Sequence, residues 1–209
     1  FKVALKNREK YLQLWPDSPD AEAVQLSIVD LLEKSQAFGK AAKNLEEYQK
    51  DKKVSRSPSK VLTAEGRIAT LFEEKMKNKG AARKVFERIL KYHDNLPKRA
   101  RGDLEITALD AVARAHFVTS EDQYKKYSGI KIKWTKLTNI GEFKASVKEK
   151  AKALEGIQKL YTVTVGFKSA DPAICALDKI GQAYDHFAHA LVNAPTPKGM
   201  PEDLLVEFR

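Results

Sequence analysis

The sequence predicts an all-α fold, an α-solenoid of antiparallel helical hairpins with a short extended connector near residues 130–134. Three observations carry this. Proline and glycine are sparse, at 8 and 10 residues of 209, and they fall mostly between apolar stretches. Within those stretches apolar residues recur three and four positions apart, the period of a helix with one buried face. The chain also repeats itself. Lys6-Asn7-Arg8-Glu9-Lys10-Tyr11 parallels Lys43-Asn44-Leu45-Glu46-Glu47-Tyr48 at an offset of 37, and Ala41, Leu45 and Tyr48 fall over Ala82, Phe86 and Ile89 at an offset of 41. A small residue lets two helix backbones approach, and the larger ones at +4 and +7 fill the groove between them.

The partners of these helices are read in order. Asp20 or Ser18 caps a helix with Val24, Ile28, Leu31 and Leu32 on its apolar side, ending near Ser35. After a Ser55–Ser59 turn, Leu62, Ile68, Ala69, Leu71 and Phe72 mark another, ending near Asn78. A third pair starts near Pro97 and runs through Leu104, Leu109, Val112 and Phe117, with Ser120-Glu121-Asp122 capping a following segment. Ile130 to Trp134 alternates with period two and reads as the extended connector. Residues 139–167 form one long helix. Pro172 suits the first turn of the next, which carries Ile174, Leu177, Ile180, Tyr184, Phe187 and Leu191 and stops before Pro195. Pro201 to Arg209 starts a further helix. Two regions follow, 1–118 made of hairpins and 119–209 continuing the helices.

Composition excludes several classes. With 43% apolar and 32% charged residues the chain can bury a core and is not disordered. No apolar run approaches the roughly 20 residues needed to cross a bilayer, and no transmembrane segment is expected. The chain opens at Phe1 within an amphipathic pattern, which reads as a piece of a longer protein. Cys175 stands alone, so no internal disulfide is possible, and its setting in a helix predicts a buried, inert thiol.

In the second unit, Ile28, Val29, Leu32, Phe38, Ala41, Leu45 and Tyr48 fall at packing positions of the tetratricopeptide repeat, which residues 1–118 resemble. Trp15-Pro16 and Leu96-Pro97 are similar to its closing pair. The units run longer than the usual 34 residues, and Val29 stands where the motif has glycine. A narrower resemblance covers about residues 124–209. It is carried by Ile180-Gly181, Tyr184, Phe187-Ala188, Leu191, Ala194-Pro195, Pro197 and Gly199-Met200, with Tyr127, Ile130-Lys131-Ile132 and Lys148 to Leu154. This looks like a segment of large tetratricopeptide proteins of deltaproteobacterial cell envelopes, some associated with adventurous gliding motility. The resemblance implies a periplasmic or envelope-associated scaffold. The residues alone are equally compatible with the cytoplasm.

Two functional surfaces are expected. A solenoid exposes a face lined by the first helix of each pair, which suits a peptide or protein partner. Leu26, Asp30, Glu33 and Lys34 are placed there in the second unit, Arg67 and Glu74 in the third. The alternative is a basic segment. Residues 125–168 hold eleven lysines and three glutamates, +8 of the chain's +10. Lys131, Lys133, Lys144, Lys148, Lys150 and Lys152 represent a stripe suited to nucleic acid or an anionic membrane surface, or to simple solvation. Nucleic acid is disfavoured, because Phe143 and Tyr161 follow a buried stripe and only Trp134 reads as an exposed aromatic. His186 and His189 share a helical face but lack further ligands, so no metal is expected. Gly156 and Gly181 read as close helix crossings. No phosphate loop, nucleophile elbow or zinc motif occurs. No cofactor and no enzymatic activity are expected.

Overall fold

The computed structural model describes residues 1–203. Among them it is all-helical, with no strand, and a single isolated bridge joins Lys136 to Lys198. The elements are α1 (Lys2–Leu14), α2 (Ala21–Lys34), α3 (Phe38–Tyr48), α4 (Lys52–Ser55), α5 (Pro58–Thr70), a π-helical turn (Leu71–Lys75), α6 (Lys79–Asn95), α7 (Lys98–Gly102), α8 (Ile106–Gly129), α9 (Ile140–Gly166) and α10 (Ala170–Val192). The chain divides into two compact units, Phe1–Ala115 and His116–Arg209, and the division falls within α8. Most of the helix expected to start at Pro201 lies outside the described residues.

Local chemistry sets the helix ends. Ser57 caps α5 ahead of Pro58 at its first turn, and the Asn78 and Asn139 side chains accept from Ala81 N–H at 3.0 Å and Glu142 N–H at 3.3 Å. Asp20 stands at the start of α2 but makes no side-chain cap, and Ser18 Oγ accepts from Asp20 N–H instead. Three hairpin turns share one device. Gln36, Lys77 and Lys168 adopt φ of 60°, 54° and 58°, the left-handed geometry that closes a helix, without being glycine.

The core of the first unit follows the repeated stripes. Ala41, Leu45 and Tyr48 are buried on α3, and Ala82, Phe86 and Ile89 on α6. Against them lie Ile28, Val29 and Leu32 of α2 and Leu62, Ile68 and Ala69 of α5. A close approach occurs at Gly66, where an added Cβ would stand 2.6 Å from the Ala111 Cβ. Gly156 and Gly181, expected at such crossings, have open space around them, because each lies on an exposed part of its helix. In the second unit, Tyr127, Leu154, Ile157, Tyr161, Ala176 and Ala183 form one cluster, with Phe117, Tyr124, Ile180 and Phe187 packed on its edge.

Several expectations are corrected here. α8 runs unbroken through Ser120-Glu121-Asp122. Ser120 is buried and donates back to the His116 carbonyl at 2.7 Å, so it serves the helix interior rather than a cap. On α10 the seam is made of small residues, Pro172, Ala176 and Ala183, which turns Ile174, Leu177 and Tyr184 outward. Cys175, beside Ala176 and about 100° around the helix from it, is therefore exposed rather than buried. Trp134 is only 8% exposed and packs against Phe143 with ring centres 5.0 Å apart, because the alternation of 131–134 points Ile132 and Trp134 inward.

Candidate functional site

The first unit carries a polar ladder across three helices. Heptad spacing brings Lys60 and Arg67 to one side of α5, with Glu74 of the π-helical turn seven residues further on, and puts Thr107 and Arg114 on one side of α8. At one end Lys60 meets Glu22 of α2 at 2.6 Å, and the Tyr48 hydroxyl donates to the same carboxylate at 2.8 Å. These hydrogen bonds, led by Lys60, hold the Glu22 pKa below its ordinary value. Further along, Arg67 bridges two carboxylates of α2, reaching Asp30 at 2.5 Å and Glu33 at 2.6 Å. Thr63 and Thr107 share a hydrogen bond of 2.9 Å between α5 and α8. Arg114 closes the ladder. It donates to Thr70 at 3.0 Å, Glu73 at 2.7 Å and Glu74 at 2.6 Å.

The π-helical turn explains the last rung. In a regular helix consecutive residues point about 100° apart and rarely share a partner. The wider turn at Leu71–Lys75 lets Glu73 and Glu74 converge on one guanidinium nitrogen. Burial works against the charge of both arginines, yet the hydrogen bonds that Arg67 donates to Glu33 and Asp30, and Arg114 to Glu74 and Glu73, raise their pKa values. Both arginine side chains are about two-thirds covered, with exposures of 32% and 29%.

Of the expected partner-binding residues, Asp30, Glu33 and Arg67 meet in one cluster, and Glu74 joins Arg114 in a second. Leu26 is half-buried on α2, and Lys34 is exposed near its end. The sequence reading missed Glu22, Lys60, Thr63, Glu73, Thr107 and Arg114. The heptads Lys60–Arg67–Glu74 and Thr107–Arg114 were there to be read. Glu73 had no such signal.

The basic segment does not form one stripe. Lys131, Lys133, Lys144, Lys148 and Lys152 are exposed, but Lys150 is completely buried. Its ammonium donates to the Ile130 carbonyl at 2.7 Å and the Tyr127 carbonyl at 3.4 Å, and stands 4.7 Å over the Tyr127 ring. It caps the carbonyl end of α8 and is removed from the surface set. Among the described residues no three His, Cys, Asp or Glu side chains converge to hold a metal ion, and no helix is long and apolar enough to cross a membrane. His186 is half-buried, with Nδ1 lacking a hydrogen bond, and His189 is exposed. No family model, curated protein or solved structure matches the chain.

Proposed function

We propose that the chain is a non-catalytic scaffold of tetratricopeptide-like hairpins, which holds a peptide or protein on the face shared by α2, α5 and the first part of α8. The observation that carries this reading is the ladder itself. Three helices, α2, α5 and α8, present side chains on one side, fixed by cross-helix ion pairs and still partly open to solvent. Fixed side chains lose little freedom on binding, which favours association. Asp30, 53% exposed although paired with Arg67, and Lys34, exposed and without an ion pair among the described residues, can still contact a guest. Mixed charge suits a polar ligand with backbone contacts. The buried repeats Ala41/Leu45/Tyr48 and Ala82/Phe86/Ile89 support stacked hairpins of this kind. The envelope setting and the link to gliding motility rest on the likeness of residues 124–209 alone.

The test compares capture from native envelope extract by the wild-type chain and by the double variant Asp30→Ala/Lys34→Ala. A specific protein retained by the former and lost by the latter, with both equally resistant to thermal unfolding, supports the reading. Identical capture profiles, or turnover of a substrate by the purified chain, would overturn it.

A further inference from the structure

The connector between α8 and α9 is built from its alternation. Ile132 and Trp134 face the core at 6% and 8% exposure, which turns Lys131 and Lys133 outward. Its backbone is pinned to α9. Ser146 Oγ accepts from Lys133 N–H at 3.0 Å, and Glu142 accepts from the Thr135 N–H at 3.0 Å and hydroxyl at 2.7 Å. Lys125 and Lys126 stand near the end of α8. With Gly129, Ile130 and Glu149 these four lysines line an open concavity of about 500 Å³.

Positive charge there outnumbers negative. Four lysines meet one glutamate, and although Lys133 lies near enough to Glu142 to help lower its pKa, none of the four ammonium groups makes a hydrogen bond or salt bridge among the described residues. Some lysines elsewhere are paired with carboxylates, as at Lys50, Lys60, Lys159 and Lys179. The buried Lys150 donates to the carbonyl of Ile130, a residue of the concavity, and to that of Tyr127, with no carboxylate partner among the described residues.

We propose that this concavity docks an acidic, extended protein segment carrying Asp or Glu side chains at alternate positions. Lysine ammonium groups are point charges that accept carboxylates without fixed geometry. Lys131 and Lys133, two residues apart on an extended backbone, are spaced about 6.6 Å along it, the repeat of same-side residues in an extended peptide. Single-stranded nucleic acid is disfavoured because the rings that would stack on bases are turned inward at Trp134 and Tyr161. A membrane surface is disfavoured because Ile130, the sole apolar side chain larger than glycine at the rim, is half-buried. This site is independent of the face formed by α2, α5 and α8, so either can fail alone.

The experiment uses the full chain and a fluorescein-labelled peptide of four Asp-Ser repeats at about 50 mM salt, where the Debye length exceeds about 10 Å. Saturable binding that weakens with added salt is expected. Lys131→Glu/Lys133→Glu should lower affinity about tenfold, since each reversal replaces an attraction by a repulsion. Lys144→Glu/Lys148→Glu makes the same change in net charge outside the concavity and should change affinity less than about twofold. Lys125→Glu/Lys126→Glu gives a second variant should the first disturb the connector, judged by circular dichroism. Three outcomes overturn the proposal: no binding of the peptide at low salt, equal losses for variants inside and outside the concavity, or tighter capture of duplex DNA or phosphatidylglycerol vesicles than of the peptide.

Discussion

The Lys150 side chain has no exposure and no carboxylate partner among the described residues, and two carbonyls and a ring face take the place of water around its ammonium. Burial still leaves its mark and depresses the lysine pKa. Lys150→Met keeps the stem and removes the donor, leaving the Ile130 and Tyr127 carbonyls unsatisfied. A loss of about 1–3 kcal/mol in urea unfolding is expected, and an unchanged midpoint would remove the capping role assigned to it. A second residue tests a close helix contact. Gly66→Ala gains about 1 kcal/mol of helix propensity, but its Cβ would meet the Ala111 Cβ at 2.6 Å, a contact with no flexible end to yield. Overpacking of this kind costs about 1–3 kcal/mol, so the net change in thermal unfolding should be destabilising. Neither residue was legible beforehand. A lysine in a lysine-rich run reads as surface, and a helical glycine reveals its neighbour only when a second helix is in place.

At the level of elements, periodicity gave the helices and much of the first unit's core, because Ala41, Leu45 and Tyr48 form a single consistent stripe. α10 shows where that reasoning stops. Ile174, Leu177 and Tyr184 make one stripe at helical spacing, and Pro172, Ala176 and Ala183 make another. Periodicity ranks the larger residues as the buried set, whereas close packing on α9 selects the smaller ones. The polar ladder lies between these cases, with its heptads visible in the sequence and its π-helical turn hidden from it. Arg114→Ala should show what the ladder contributes. It strands Glu73 and Glu74 side by side beside Thr70, and a loss of about 1 kcal/mol is expected for these part-exposed pairs. Glu73→Gln alone should cost less, because Glu74 remains to neutralise the arginine. Equal losses for the two variants would argue against a shared guanidinium. The hairpin turns make a separate point. Gln36, Lys77 and Lys168 hold left-handed geometry that costs a side-chain-bearing residue about 1 kcal/mol. Glycine at any of them should therefore raise the unfolding midpoint.

For the molecule as a whole, the two units should respond to acid in different ranges. In the first unit, Glu22 is held below its ordinary pKa by hydrogen bonds from Lys60 and Tyr48. The stability this gives is complete above the unfolded value near 4.5 and is lost as pH falls through the lower folded value. In the second unit the relevant group is His186. Burial, then the nearby Lys150 and His189 charges, lower its pKa from 6.5, while the Tyr127 ring packs against it at 5.4 Å. The folded imidazole thus stays neutral where the unfolded one takes a proton. Stability is full above about 6.5 and declines as pH falls from there toward the folded pKa. The two tryptophans separate the units, since Trp15 belongs to the first and Trp134 to the core of the second. In a Trp15→Phe background, Trp134 fluorescence reports the second unit alone. Its urea midpoint should drop between pH 7.5 and 5.5, well above the range in which Glu22 titrates, and His186→Leu should flatten that dependence. Equal slopes with and without His186 would show that its burial does not govern the acid response of this unit.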